Sequence, residues 1–372
     1  MKNLIFLTLT LFVIILTQSS CSNEVEVVGL WKDIPVVYAV VSNQDSVSYI
    51  RIERAYLPPN KSAYEVAQIS DSLYFDPTDV DITMFHIVNG DTVPWPYPLE
   101  RVNLIDEGVV RDTGIFANNP AYAYKMLGVI ERPLLLKIDN QKTNNVFWSY
   151  TESVYTSTND DFYTQPTVSV QPFYPLSWRT INSQNEEVYA NLAVAMTGNG
   201  FASIYDYKVL FHYQEYQIDN NGNEIGGTRS DKSLEWKAIS DFVPSDASLT
   251  KKTLSGESFY RYIGANLSDV TGTNLRRCAG KVEIYIDGGS ESLKLYIEAR
   301  QANEGFVGGL YPADPYSNVE GGFGVFATGG RLERKDRLNY PRMMQLSDLS
   351  IEHFKFSSYT INLGFENVTA CN

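Results

Sequence analysis

The chain has few of the residues from which metal and redox sites are usually built. It contains three cysteines and three histidines among 372 residues. The histidines His86, His212 and His353 are far apart in the sequence, whereas a zinc site usually takes several His or Cys ligands at short spacing. The sequence therefore predicts no metal and no other cofactor, and no grouping of acid, base and nucleophile predicts a catalytic site.

Positive charge is also scarce. Thirty Lys and Arg residues stand against 44 Asp and Glu, which gives a formal net charge of −14 and a sequence pI near 4.7. A surface of this sign repels phosphate backbones. We therefore expect no nucleic-acid partner.

An apolar run long enough to span a membrane is missing as well. Residues 4–16 form an apolar run of 13 residues, whereas a membrane-spanning helix needs about 20. The run follows Lys2 and precedes Ser19-Ser20-Cys21, so residues 1–20 are predicted to be a cleaved signal peptide. A cysteine directly after small residues resembles the lipobox of bacterial lipoproteins, whose sulfur receives a diacylglyceryl group. We expect lipidation of Cys21, with residues 21–32 as a tether; the alternative is an ordinary secretory signal and an incidental cysteine.

The other two cysteines leave two alternatives open. An oxidising envelope compartment would permit a disulfide between Cys278 and Cys371. The alternative is two separate thiols, because spacing alone does not show whether the two Cα atoms come within about 7 Å.

Aromatic residues are plentiful, with 25 Tyr, 18 Phe and 5 Trp, and this favours pleated sheets. Strand-like runs such as Pro35–Val41 and Ser46–Arg54 recur from residue 33 to residue 158, separated by turn residues. They predict an antiparallel, immunoglobulin-like β-sandwich over 33–158. The fold class is therefore mainly β.

The remaining residues, 159–372, predict a second β-rich domain with one or two short helices. Tyr205–Ile218 is expected to start a long hairpin. Ser255–Leu267 is the best helix candidate, with Ser255 as its N-cap. Lys281–Asp287 and Leu293–Ala299 are interpreted as strands.

Three short motifs resemble the O-glycosylation acceptor of Bacteroidota envelope proteins, in which an acid precedes a hydroxyl residue and an aliphatic one. They place candidate acceptors at Ser46, Ser72 and Thr92. An acid beside a hydroxyl residue is also common in turns, which is the alternative interpretation.

Four segments resemble a family of uncharacterised Bacteroidota cell-envelope lipoproteins. They are residues 31–38, 49–52, 67–74 and the glycine-rich segment 316–326. The resemblance implies an outer-envelope lipoprotein with a β-sandwich at its front, and it assigns no activity.

The functional expectation is a non-catalytic binding or assembly module. It would be held to the outer membrane by the lipid, periplasmic or surface-exposed, and accessory to an uptake complex with a β-barrel partner. One alternative is direct glycan binding through exposed aromatic residues. Another is a hydrolase whose paired carboxylates are not evident in the sequence.

Overall fold

The computed structural model describes residues 33–55, 62–110, 120–154, 175–197, 202–243, 249–304, 315–331 and 343–371. Within these ranges the chain is mainly β, with several multi-stranded sheets and short helices, which confirms the predicted fold class. Residues 1–32, with the predicted signal, Cys21 and the tether, lie outside the described residues. Among the helices that are described, none has both the length and the apolar character needed to cross a membrane.

The strands of the first half are β1 (Ile34–Ser42), β2 (Val47–Ala55), β3 (Val80–Val88), β4 (Asp91–Pro94), β5 (Glu100–Asn103), β6 (Tyr122–Leu127), β7 (Leu134–Asn140) and β8 (Asn145–Thr151). Those of the second half are β9 (Arg179–Ile181), β10 (Glu187–Tyr189), β11 (Asn191–Thr197), β12 (Ile204–Gln217), β13 (Ser230–Phe242), β14 (Leu249–Ser255), β15 (Leu275–Gly289), β16 (Val319–Glu320), β17 (Phe323–Arg331) and β18 (Met343–Gln345).

Four of the helices in the described residues lie between strands, and two follow the last strand. They are α1 (Ala63–Ala67), α2 (Ser70–Leu73), α3 (Gly256–Asn266), α4 (Glu291–Glu304), α5 (Asp348–His353) and α6 (Val368–Cys371), with a 3₁₀ turn at Ile361–Leu363.

One nine-stranded sheet connects the two halves of the chain. Its order is β13-β12-β15-β17-β1-β2-β6-β5, and β18 pairs with β15 beside this path. A five-stranded sheet has the order β16-β8-β7-β3-β4. The remaining strands of the described residues form two small sheets, β9 with β10 and β11 with β14.

The first core lies between the five-stranded sheet and the β1-β2-β6 part of the large sheet. Alternating residues of β1, such as Val37 and Val41, are fully buried, as are Leu134 in β7 and Phe326 in β17. This alternation is the period-two pattern expected of strands with one buried face.

Strand β17 pairs in parallel with β1, with Tyr38 opposite Val325. It comes from residues 323–331, which the sequence analysis placed in the second domain. Asn318 secures the segment before it: its Nδ2 donates to the backbone oxygens of Tyr150 and Phe326, and its Oδ1 accepts from the Phe326 amide. The first sandwich is therefore completed by residues from near the end of the chain, and it contains one parallel pair.

The second core lies on one face of β12 and β15. Tyr205, Tyr207, Val209 and Phe211 alternate along β12 and are at most 1% exposed. Helices α3 and α5 pack on this face, and Phe259 of α3 stacks on the buried Trp178 at 4.8 Å.

Helix α3 confirms the prediction for residues 255–267. The Ser255 side chain accepts from the Ser258 amide, and Phe259 and Ile263 are buried. Gly264 is required inside this helix, because a Cβ there would lie 2.2 Å from the backbone oxygen of Tyr359.

The prediction of a strand over Leu293–Ala299 is wrong, because these residues lie in α4. Apolar residues partly alternate with polar ones in this segment, and such alternation is also typical of a strand. The helix is favoured by a run of good helix formers and by ion pairs one turn apart, Lys294 with Glu291 and Arg300 with Glu304.

Candidate functional site

A groove of about 720 Å³ lies where β12, β13 and β15 meet the end of the chain. We call it the C-terminal groove. Its polar lining comes from His212, Gln214, Asp231, Lys232, Lys281, Gln345 and Asp348, and both Cys278 and Cys371 border it.

Strand register brings these polar residues together. His212 and Gln214 alternate with buried residues along β12, so they point away from the second core. Gln214 lies opposite Asp231 of β13, and its Nε2 donates to the Asp231 carboxylate at 2.8 Å. Lys232 is the next residue of β13 and is exposed. The groove therefore presents both acidic and basic side chains.

His212 is the histidine of the groove. Its Nε2 lies 3.9 Å from a carboxylate oxygen of Glu283 on β15. That nitrogen is buried and has no hydrogen-bond partner among the described residues. The imidazole therefore turns this nitrogen toward Glu283 rather than toward the open part of the groove.

The disulfide forms part of the groove wall. The structure joins Cys278 in β15 to Cys371 in α6, with their Cα atoms 5.6 Å apart. This is one of the two alternatives that the sequence left open, and it ties the end of the chain to the large sheet.

A row of charged residues continues from the groove along the same face of the sheet. Lys208 lies 2.7 Å from Asp287 and 3.3 Å from Glu235. Burial alone would lower the pKa of Lys208, but the bonds to these two carboxylates outweigh it and raise that pKa. Arg331 lies over the ring of Tyr285 at 3.6 Å. Partial burial and the hydrogen bond to Glu235 raise the pKa of Tyr285 to about 12.

The Glu235 carboxyl group on this face is held in its ionised form. Burial opposes its ionisation, yet the Tyr285 hydroxyl and Lys208 bring its pKa below the ordinary value. A glycosidase general acid needs a raised pKa instead. Every described carboxyl group with a resolved shift has a lowered pKa: Asp76, Glu107, Asp219, Glu224, Glu235, Glu257, Asp269 and Glu291.

A second surface, the aromatic face, lies on the outer side of the five-stranded sheet. Phe85, Leu135 and Tyr150 lie side by side on β3, β7 and β8, and Lys137 pairs with Trp148 in the next row. The ring centroids of Phe85 and Trp148 are 6.4 Å apart, and Tyr150 is 44% exposed. Residues of the opposite face of this sheet fill the first core, so the aromatic face is the side turned away from it.

The candidate acceptor hydroxyls do not form one site. Ser46 lies in the turn before β2 and Thr92 lies in β4, and both are exposed. Ser72 lies in α2 and is half-buried. Their modification stays a prediction from the sequence.

The other two histidines lie apart from the groove. His86 packs edge-on against Trp95, and His353 packs edge-on against Tyr189 and Tyr260. Burial, and secondarily the charge of Arg179, lower the pKa of His353 to about 4. The described part of the chain contains no group of three or more His, Cys, Asp or Glu residues placed to hold a metal ion.

Sequence reasoning missed the C-terminal groove and the charged row beside it. Their residues come from β12, β13, β15, β18 and the last helix, which are far apart in the chain. The alternation of polar and apolar residues along β12 was the one available signal, since it marks a sheet face that is neither fully buried nor fully exposed.

No protein-family model matches the chain, and no curated protein matches it. The resemblance to envelope lipoproteins therefore stays a prediction from the sequence.

Proposed function

We propose that the protein is a lipoprotein, anchored through Cys21, that acts as a non-catalytic binding or assembly module at the outer envelope. The observation that carries the binding role is the C-terminal groove, which is open, about 720 Å³ in volume and lined by charges of both signs. A groove of this size and polarity suits a polar ligand such as a segment of a partner protein. We expect the partner to be an outer-membrane β-barrel protein of an uptake complex.

The continuous sheet supports a scaffold role. Strands of both halves pair edge to edge in it, so the groove is held in a defined place relative to the first sandwich. Because such a site is already ordered before the ligand binds, binding costs little conformational entropy in the protein.

Gentle detergent extraction tests the proposal in the native membrane. The full-length protein should be recovered with a β-barrel partner, and recovery only as a lone monomer would contradict the assembly role. Reversing two exposed groove cations, Lys232→Glu with Lys281→Glu, should reduce partner recovery about tenfold or more if the groove is the contact.

A matched control reverses two exposed cations outside the groove. Lys142 and Arg300 have side chains 61% and 69% exposed, and each pairs with one carboxylate. The double change Lys142→Glu and Arg300→Glu alters the net charge equally and should leave partner recovery unchanged. Equal losses in both variants would point to a bulk charge effect rather than to the groove.

Glycan binding is a second candidate, and the aromatic face favours it. Flat rings on a sheet can stack on the apolar faces of sugars, and Lys137 and Asp139 could hydrogen-bond to hydroxyl groups at the rim. The described tryptophans are Trp178, which is fully buried, and Trp95, Trp148 and Trp236, which are half-buried. Tyr150 and Trp148 are therefore the side chains to test.

Affinity electrophoresis in gels that contain cell-wall or capsular polysaccharides measures this directly. Tyr150→Ala should weaken retardation about tenfold, and Tyr64→Ala, which removes an exposed tyrosine from α1, should not. A protein that no polysaccharide retards would remove this candidate.

The hydrolase alternative stays a prediction without a supporting observation. The lowered carboxyl pKa values described above belong to groups that accept hydrogen bonds or pair with cations, whereas a general acid needs a raised pKa.

A further inference from the structure

The two sulfur atoms of the disulfide lie in different surroundings. Cys278 is 4% exposed, within the large sheet. Cys371 is half-buried and is the penultimate residue of the chain, in a helix of four residues. Both border the C-terminal groove, so a thiol that enters the groove can approach the bond from the Cys371 side.

A cation lies beside one sulfur. The Arg229 guanidinium binds Glu224 through Nε at 3.0 Å and Nη2 at 2.5 Å. Its third nitrogen, Nη1, donates to Gln214 at 2.9 Å and to Cys278 Sγ at 3.7 Å. The hydrogen bond to Glu224 raises the pKa of Arg229, so the guanidinium stays charged. Glu224 offsets part of this charge, but the N–H that points at the sulfur remains.

This asymmetry matters for thiol–disulfide exchange. The exchange is faster when the departing sulfur is stabilised as a thiolate, and a neighbouring cation provides such stabilisation. Arg229 is placed to stabilise Cys278, and the accessible side of the bond is that of Cys371.

We propose that Cys278–Cys371 is a thiol–disulfide exchange site for dithiols, at which the incoming sulfur bonds to Cys371 and Cys278 departs.

The reaction balances in two steps. A thiolate of the dithiol attacks Cys371 Sγ, a new S–S bond forms, and the electron pair of the old bond passes to Cys278 Sγ, which the Arg229 N–H holds. The second thiol of the reagent then loses its proton and attacks its own sulfur in the mixed disulfide, so that Cys371 departs as a thiolate. The reagent is oxidised to a disulfide by two electrons, and the two protein thiolates take up the two protons that it releases.

Reduction would change the groove. Helix α6 is tied to β15 by this bond, and Val368 of the same helix also packs against the second core. Val368 and Cys371 both border the C-terminal groove, so reduction removes the covalent tie from one of its walls. The site would therefore couple the redox state of the envelope to access to the groove.

Glutathione tests the direction of attack on the native full-length protein. A single thiol stops at the mixed disulfide, and iodoacetamide then alkylates the freed cysteine. Peptide mass spectrometry should find glutathione mainly on Cys371 and the alkyl group mainly on Cys278. Glutathione mainly on Cys278, an even split, or an adduct that forms only as fast as the protein unfolds would overturn the proposal.

The rate of reduction by dithiothreitol tests the role of Arg229. Arg229→Gln should slow thiol release about threefold to tenfold, and Arg229→Lys should restore part of the rate. The control Arg300→Gln removes an arginine that is 69% exposed in α4 and should leave the rate unchanged. Circular dichroism spectra show whether each variant is folded, and a folded Arg229→Gln protein that is reduced at the native rate would contradict the proposal.

Discussion

Single residues show how burial and neighbouring charge set the chemistry of this protein. His353 is surrounded by two tyrosine rings, and the guanidinium of Arg179, which lies 4.7 Å from the Tyr189 ring centre, adds positive charge nearby. Glu187 pairs with Arg179 at 3.5 Å and opposes the effect of that charge. The neutral imidazole is therefore the form that the folded state holds.

His353 should make stability depend on pH. Its pKa falls from 6.5 to about 4 on folding, so between these values the unfolded state binds more protons. The contribution of His353 is complete above pH 6.5 and is lost as the pH falls toward 4. Because the ring is partly exposed, we expect about 1 kcal/mol rather than the full value of the shift.

Urea unfolding at pH 7 and at pH 5 measures this contribution. The wild-type protein should lose about 1 kcal/mol more stability between the two pH values than His353→Gln does, because the variant has no group that titrates at this position. Equal losses in the two proteins would show that His353 is not held neutral by the fold.

Single elements show how distant segments are joined. Asn318 is half-buried before β16 and bridges β8 and β17 through three backbone hydrogen bonds, and its Nδ2 also lies 3.1 Å from Ser292 of α4. This one amide therefore contacts three elements that are separated by up to about 180 residues in the sequence.

Asn318→Asp should be strongly destabilising. It keeps the shape of the side chain but replaces the donor by an oxygen that faces the backbone oxygens of Tyr150 and Phe326. We expect a loss of about 2–4 kcal/mol in the free energy of unfolding, measured by urea titration. The control Asn266→Asp removes a single exposed bond to the Tyr262 oxygen and should cost less than about 1 kcal/mol. Similar losses in both would show that the Asn318 bridge contributes little.

The sequence predicted the local elements better than their partners. The strand runs Pro35–Val41 and Ser46–Arg54 and the helix after Ser255 each depend on residues a few positions apart, and the structure shows all three elements. The parallel pairing of β1 with β17 depends on packing between distant residues, for which no local pattern exists. The prediction of a strand over Leu293–Ala299 is wrong because a short apolar pattern fits both the two-residue period of a strand and the 3.6-residue period of a helix. The groove was missed for the same reason as the β1–β17 pair.

At the scale of the whole molecule, the two cores are joined by one sheet and by a buried polar junction. Thr151 of β8 donates to the Ser290 hydroxyl at 3.3 Å, and Ser290 exchanges backbone and side-chain bonds with Thr328 of β17. All three residues are at most 3% exposed. Unfolding of either core alone would therefore leave buried polar groups of this junction without hydrogen-bond partners.

The two cores should unfold together. Because they share the sheet and the junction, we expect one transition in urea, with coincident midpoints by circular dichroism and by tryptophan fluorescence. Two separated transitions would show that the halves are independent units.

The central claim is that this molecule works at a membrane, held there by a lipid on Cys21. The most direct measurement is membrane fractionation of the full-length protein and its Cys21→Ser variant, with intact-mass analysis of each. We expect the native protein in the membrane fraction with the added mass of the lipid, and the variant released from that fraction without it. A native protein without the lipid, or a variant that stays bound to the membrane as fully as the native protein, would contradict the account.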